Sequence, residues 1–577
     1  MTNRSRRSQN IWIETEAGFM GAAWYWPQSD AALSTVVVLV PGIAHEERTM
    51  AGGVAALAES LADAGMPTLL IDLHGCSQSA GQIGDIGIGA RWHANIRAAM
   101  QHARDTGAAR VIVAGVRLGF LIAAEALQSE ALAGLIAWAP IAAGRRYVRE
   151  LKMLQRAADT GASGSIAIAG FSLPASLLEY ISELDVSKIG PLKTSSFLLR
   201  DMPDGLKAPW LGELAQTGVK LDAQASHHIQ PWLFSATDQP QLPHEDIQAL
   251  ASWCAARHRE LAAAVDPIPR RPEPSPTIMF VHQGHLVRET FVEIGEVGLT
   301  GVMSEPAHGA NNHGVRLLMS TVGPGRTFTD FARDEASRGN MSLRFDFSGF
   351  GTSGRGNTAQ GGELYTRQGA QDVQAAFEYL RRAGHQQVYG LGFCAGAWSM
   401  MEADAASRMR AVVAINVALY HYPGPEAPKI IKRLRRILAS FVPGFRTNLL
   451  RLGVATRARR TTRERSIPLQ WLVRLCSSDA RVLLAYAERD PGLEYLSGQI
   501  AMGLHEELHR PFVLQTYKDL GHLAEGTSAR ARLFDDIASF FADLDREALT
   551  RRQRRSSTAS ATHAPRRRRS ARRISIR

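Results

Sequence analysis

Three residues far apart in the chain, Cys394, Asp490 and His522, carry the side chains that nucleophilic acyl chemistry requires. Cys394 is the centre of Gly392-Phe393-Cys394-Ala395-Gly396, which closes a buried-strand pattern and opens a helix-like run, AWSMMEADAA. A strand that turns into a helix this abruptly tolerates only small flanking residues. It lifts the central side chain above the sheet and aims the next amide, that of Ala395, at an oxyanion developing on a substrate. Asp490 ends the strand-like segment RVLLAYAERDPG (481–492) before a Pro-Gly turn. His522 lies in a Gly-flanked loop after the strand-like FVLQTYKD and before a closing helical run, ARLFDDIASFFADL. A thiol with a pKa near about 8.5 is mostly protonated at neutral pH, so it needs an imidazole base held in one tautomer by a carboxylate. Glu488 competes as that acid but falls within the strand, and Asp519 precedes His522 so closely that it reads as a surface loop residue.

These residues need a scaffold, and the chain supplies it twice. At 577 residues it is too long for one ordinary core. Five prolines in PIPRRPEPSP (267–276) interrupt any helix or inner strand and divide the chain nearly in half. Each half opens with alternating strand-like segments and then runs an apolar strand into a Gly/Pro loop, VVVLVPGI and RLLMSTVGPG. LLIDLHGCSQS (69–79) matches LRFDFSGFGTS (343–353), which places Asp72 and Asp346 in register. Ile96, Ala99, Met100 and Ala103 match Val373, Ala376, Phe377 and Leu380 at helical spacing. A further strand enters a Gly-x-x-x-Gly turn in both halves, with Arg117 in the first where Cys394 stands in the second. Strands alternating with helices predict two tandem α/β domains, each a mainly parallel sheet flanked by helices. Their boundaries fall at 1–264 and 278–548, joined by a Pro-rich linker at 265–277 and followed by an Arg/Ser-rich tail at 549–577 that is expected to be disordered.

The second half resembles the α/β-hydrolase superfamily over its whole length. The resemblance rests on the Gly-x-nucleophile-x-Gly elbow, the Asp-x-x-Gly-x-Gly-x-Ser turn of Asp346, Gly349, Gly351 and Ser353, and the later Asp490 and His522. A Cys at the elbow is similar to dienelactone hydrolases and to polyhydroxyalkanoate synthases. More distantly, the halves resemble serine-aminopeptidase-type hydrolases and the small hydrolases associated with bacterial exosortase systems. The resemblance implies a Cys394–His522–Asp490 hydrolase acting on an ester or thioester. The alternatives are an acyltransferase using a CoA- or carrier-bound donor, and a catalytically inactive binding scaffold. The superfamily usually has His-Gly-x after the third strand, the amide of x completing the oxyanion hole. Here the loop reads Val322-Gly323-Pro324-Gly325, and Pro324 has no N–H, so the second donor is expected from Gly325 or Arg326.

At the first half's elbow, Gly115-Val116-Arg117-Leu118-Gly119, arginine cannot act as a nucleophile. That half is expected to be a non-catalytic domain packed on its partner. Arg117 could bind a carboxylate or phosphate there, Asp201 and His227 or His228 could be relics of an acid and a base, and Ser77 or Ser226 are weak candidates for a separate site.

The formal charge of +11 suggests nucleic acid until it is located. Residues 551–577 hold eleven Arg and no acid, and without them 55 basic residues balance 55 acidic ones. A second basic segment, Lys429–Arg465, carries twelve Lys/Arg and one acid, within a cap-like insertion at about 421–478. Its apolar stripe (Ile430, Ile431, Leu434, Ile437, Leu438, Phe441) fits a cap over an acyl pocket. Its charges also suit an anionic membrane surface, CoA or an acidic carrier protein, and no aromatics alternate with them for base stacking. Four scattered cysteines suggest neither zinc nor a disulfide scaffold, so no metal and no cofactor is expected. With no signal-like h-region and no apolar run of about 20 residues, a cytoplasmic location is the expectation.

Overall fold

The computed structural model of the chain describes residues 8–28, 32–156, 164–190, 192–233, 242–262, 266–309, 314–354, 362–421 and 466–562. The described residues form two large sheets and one two-stranded hairpin. The first contains β1 (Ser8–Thr15), β2 (Gly18–Tyr25), β3 (Thr35–Val40), β4 (Thr68–Ile71), β5 (Arg110–Val116) and β6 (Gly134–Trp138). After a small hairpin of β7 (Ile166–Ile168) and β8 (Phe171–Leu173), it is completed by β9 (Ser196–Asp201) and β10 (Lys220–Ala225), in the order β1-β2-β4-β3-β5-β6-β9-β10. β1, β2 and β4 pair antiparallel and the rest parallel. β3, TVVVLV, is buried at every position, as a central parallel strand covered on both faces must be.

The second sheet contains β11 (Thr277–His282), β12 (His285–Ile294), β13 (Leu299–Pro306), β14 (Val315–Leu318), β15 (Ser342–Phe345), β16 (Val388–Phe393), β17 (Ala411–Ile415), β18 (Arg481–Ala487) and β19 (Val513–Tyr517). Its order is β11-β12-β13-β15-β14-β16-β17-β18-β19. Once β11 is set apart, this is the order of the first sheet, so the repeat read from the sequence extends to topology. β11 itself was not expected. It alternates exposed and half-buried residues and is joined to β12 by Gln283-Gly284, both with positive φ.

The Pro-rich linker is not a free tether. Trp12 donates its backbone N–H to Ser275 O (2.8 Å) and its indole N–H to Pro276 O (2.9 Å), and the Arg270 N–H donates to Thr106 O (2.7 Å). Trp12 also stacks on Phe291 at 4.4 Å, joining the two sheets at their antiparallel edges.

A buried polar seam completes the junction. Glu289 on β12 receives Arg333 Nη2 and Arg344 Nη2, each at 2.7 Å. The same guanidiniums reach into the turn after β4, Arg333 to Gln78 O (2.6 Å) and Ser79 O (3.1 Å), Arg344 to Gln78 Oε1 (2.6 Å). Buried charges persist only when paired and hydrogen-bonded in this way. Burial opposes ionisation of Glu289, but the two arginines bring its carboxyl down to about 2.

The closing helix Thr527–Thr562 buries Leu533, Ile537, Phe541 and Leu544 and runs on into the Arg-rich stretch expected to lack structure. Once a packed helix is nucleated, Arg, Ser and Ala propagate it at little cost. The basic segment Lys429–Arg465 and the end of the tail lie outside the described residues. Of the cap-like region, the helix Ile467–Cys476 is described, packed through Leu469, Leu472 and Leu475.

Candidate active site

β16 delivers Cys394 at φ 49°, ψ −113°, immediately before the helix Ala395–Glu402. Neither flanking position has room for a larger residue without a shift of its neighbours. A Cβ on Gly392 would stand 2.6 Å from the backbone of Ala397, and one on Gly396 would meet Met319 Cβ at 3.0 Å. The strained elbow therefore follows from close packing of helix on strand, and it leaves the thiol at the sheet's carboxyl edge.

Around that thiol the fold gathers residues 490 and 522. His522 Nε2 lies 3.2 Å from Cys394 Sγ, and Nδ1 of the same ring donates to Asp490 Oδ2 at 2.5 Å. Asp490 is 5% exposed and also accepts the Gly492 N–H (2.7 Å), capping the helix Pro491–Ala501. Both of its carboxylate oxygens are thus spoken for. Glu488 and Asp519 are exposed and take no part in this line. Burial by itself would lower the His522 pKa, but the hydrogen bonds to Asp490 and Cys394, and the charges of both, raise it well above 6.5. The site thus favours the protonated ring, as a side chain that takes a proton from the thiol requires.

Two further residues were not legible in the sequence. Asn416, at the end of β17, donates to His522 O (2.8 Å) and accepts the Ala487 N–H (2.8 Å), so it ties the histidine loop to β18. Tyr365 places its hydroxyl 3.3 Å from Cys394 Sγ. Its ring is held at φ 60° against Trp398 (5.5 Å, edge-on) and His421 (4.5 Å). A bulky residue with positive φ is strained, and such strain concentrates at functional sites. The only hint in the sequence was a tyrosine in the loop between β15 and the next helix.

The expected oxyanion donors fare differently. The Ala395 amide is at the first position of its helix, where an N–H has no partner within the helix. The Arg326 N–H instead closes a turn on Gly323 O (3.3 Å). Its guanidinium, 2% exposed, donates to Ser79 O (2.7 Å) and Gly81 O in the first domain. Arg326 is thereby corrected from oxyanion donor to interdomain anchor, because both of its donor groups are already engaged. Gly325 packs its backbone on Gly170 of the first domain. Asp346 fixes the root of this loop by accepting from Thr321 N (2.9 Å) and Thr321 Oγ1 (2.7 Å).

The first domain repeats the elbow without its chemistry. Arg117 is 5% exposed and donates to Glu46 (2.6 Å) and Glu150 (2.8 Å), while Tyr147 donates to Glu46 (3.1 Å). The expected anion site at Arg117 is corrected accordingly, since the protein's own carboxylates already occupy the guanidinium. Asp201 accepts the Met202 N–H, His228 pairs with Glu245, Ser226 donates to Asp246 and Ser77 to Glu47. None of these pairs joins an acid, a base and a nucleophile. Among the described residues no group of three or more His, Cys, Asp or Glu could hold a metal ion.

Comparison with known proteins bears on both halves. The family model for serine aminopeptidase S33 (Hydrolase_4) matches residues 32–183, within the half that lacks the thiol. No curated protein matches. Among solved structures, the chain is similar to an α/β serine hydrolase without a lid from Xanthomonas campestris, at 15% identity over 46% of this chain and 100% of that one, with a TM-score of 0.31. It is also similar to Est1E from Butyrivibrio proteoclasticus with ferulic acid bound (17%, 43% and 98%, TM-score 0.33). A third is the thermophilic carboxylesterase EstE1 from a metagenomic library (12%, 46% and 92%, TM-score 0.28).

Proposed function

We propose that this chain, an α/β-hydrolase by fold, cleaves a carboxylic ester or thioester in its second domain, with Cys394 as nucleophile, His522 as proton carrier and Asp490 as the carboxylate that orients it. The observation that carries this reading is the unbroken hydrogen-bonded line Asp490–His522–Cys394, at 2.5 and 3.2 Å, with the thiol on a strained elbow.

In this reading the Cys394 proton passes to His522 Nε2 as Sγ bonds to the acyl carbon, and the carbonyl π pair moves onto oxygen. Collapse of that oxyanion breaks the bond to the leaving alcohol or thiol, which takes the proton from His522. Water, deprotonated by His522, then adds to the acyl-enzyme, and its collapse expels the Cys394 thiolate, which is reprotonated. Two donors face the developing oxyanion: the Ala395 amide and the Tyr365 hydroxyl, the latter supplying what Pro324 cannot. The first domain is non-catalytic. The substrate is a small acyl compound, and the basic segment 429–465 suits an anionic one such as an acyl-CoA or acyl carrier, or an anionic membrane surface. If an alcohol or amine replaced water in the second half-reaction, the same site would be an acyltransferase.

Wild type and Cys394→Ala are to be compared on short-chain acyl p-nitrophenyl esters and acyl-CoA, with and without nucleophilic acceptors, and with mass spectrometry of the intact protein. The reading requires an acyl adduct on Cys394 and turnover that the variant lacks. Equal turnover in both proteins would sink it. Transfer without hydrolysis would convert it to the acyltransferase, and absence of any adduct would leave a binding scaffold.

A further inference from the structure

The hairpin β7–β8 belongs to the first domain but ends in the second. Its body is fixed at home, with Ile166, Phe171 and Leu173 buried in the first domain's core. Its tip, Ala169-Gly170, has positive φ at both residues (49° and 86°), as a tight two-residue hairpin turn requires. Such a tip is stiff, and it is wedged between two loops of the other domain. A Cβ on Gly170 would stand 2.8 Å from Gly325 N, 2.8 Å from Pro324 C and 3.0 Å from Leu523 O. From the opposite side, a Cβ on Gly325 would stand 2.0 Å from Gly170 O. Arg530 donates to the same Gly170 carbonyl.

Leu523 adjoins His522, and Pro324-Gly325 belongs to the loop leaving β14 beside the elbow helix. That loop carries positive φ at Gly323 (72°), Gly325 (54°) and Arg326 (67°). The two glycines adopt it freely, but at Arg326 it costs energy and persists only when the surroundings over-determine it. Its partners here are Gly170, and Ser79 O and Gly81 O, which bind the Arg326 guanidinium.

We propose that the first domain is a structural part of the second domain's active site: its hairpin tip, through Gly170, is a positioning element that holds the His522 loop and the Pro324–Gly325 loop at their working separation around Cys394. The proposal rests on the Cys394 reading, yet it can be tested without turnover, because the pH profile of Cys394 alkylation reports how readily its thiolate forms.

Gly170→Ala in the full chain is to be compared with Gly164→Ala. Both glycines have φ +86°, so the intrinsic backbone strain of an alanine is matched, but a Cβ on Gly164 meets nothing closer than Ala175 Cβ at 3.8 Å. The readouts are the pH profile of Cys394 alkylation by iodoacetamide, kcat and KM on a p-nitrophenyl ester, and thermal unfolding. We expect Gly164→Ala to keep the wild-type profile. Gly170→Ala should move the alkylation profile towards that of an unassisted thiol and lower kcat roughly 10–100-fold, with KM little changed. Arg530→Met leaves the hairpin backbone untouched and should shift both in the same direction, which keeps the test open should Gly170→Ala fail to fold. Identical profiles and kcat in Gly170→Ala and Gly164→Ala, or a wild-type profile in Arg530→Met where Gly170→Ala is unfolded, would overturn the proposal. A wild type that alkylates rapidly but forms no acyl-enzyme would defeat the hydrolase reading alone, and the alkylation comparison would still decide the brace.

Discussion

Arg117 and Cys394 share one backbone shape at equivalent points of the two sheets: φ 52°, ψ −125° for the arginine and φ 49°, ψ −113° for the cysteine, each immediately before a helix. The elbow is therefore a property of the strand-to-helix packing and not of the nucleophile. Gly115 and Gly119 are more tightly constrained than Gly392 and Gly396, a Cβ on either one meeting backbone atoms at 2.2 Å. What differs is what the raised side chain finds: two carboxylates for Arg117, and a histidine and a tyrosine for Cys394.

Arg117 is consequently a stability residue. Arg117→Ala leaves Glu46, 2% exposed, buried without its cation, and breaking a buried pair in this way costs about 3–5 kcal/mol. The expected outcome is a large drop in the urea midpoint. Arg117→Cys should give no esterase activity when Cys394 is also removed, because the carboxylates Glu46 and Glu150 that face this elbow raise a thiol's pKa instead of activating it.

Tyr365→Phe keeps the ring packed on Trp398 and His421 and removes only the hydroxyl. Loss of one oxyanion donor lowers kcat roughly 10²–10³-fold. Iodoacetamide alkylation forms no oxyanion, so its rate on Cys394 should change by no more than about threefold while acylation collapses. Equal losses in both assays would assign the hydroxyl to thiol activation instead.

The proximity of Cys394, Asp490 and His522 was legible because each lies just beyond a parallel strand of the sheet, and turn chemistry is local. The repeat was legible for the same reason, down to Asp72 and Asp346. What stayed hidden lies between domains or in irregular loops. Arg326 was read as an oxyanion donor from its place after Pro324, but its guanidinium is drawn to carbonyls of the other domain, which no local pattern reveals. Arg117 stands in the sequence as a possible anion site because its carboxylate partners, Glu46 and Glu150, are 71 and 33 residues away. Tyr365 and Asn416 act through contacts of long sequence separation, and β11 lacks the buried run that marks an inner strand.

The raised pKa of His522 has a consequence for stability. In the unfolded chain the imidazole titrates near 6.5, and in the fold it does so well above that. The native state therefore binds the proton more tightly. The stabilisation is complete below about pH 6.5 and disappears as pH rises through the folded value. Thermal unfolding of wild type and His522→Gln should differ most at pH 6 and converge on the alkaline side. Cys394→Ala removes one of the two groups that raise this pKa and should bring the convergence to lower pH. A gap that widens with pH would contradict the assignment.

The interdomain turn titrates in the same sense, over a window that opens at lower pH. Burial, and then the charge of Glu47, push the Asp72 carboxyl up to about 8, against the Gln78 N–H and Arg326, which favour ionisation. The unfolded chain loses this proton near 3.8, whereas the folded protein retains it through neutrality. Between those values the native state carries the extra proton, so stability falls as pH rises. Asp72→Asn cannot ionise, and its amide oxygen can still accept the Gln78 N–H. The variant should match wild type near pH 4, gain stability over it steadily up to pH 7, and show no further gain above about pH 8. Urea unfolding at these three values measures the difference directly. Because the turn from Gly75 to Gly81 also receives Arg326, Arg333 and Arg344, the same series reports whether loosening this seam at alkaline pH reaches the Pro324–Gly325 loop. Wild-type kcat should then decline above pH 8 more steeply than that of Asp72→Asn, and parallel declines would show that the seam and the loop are uncoupled.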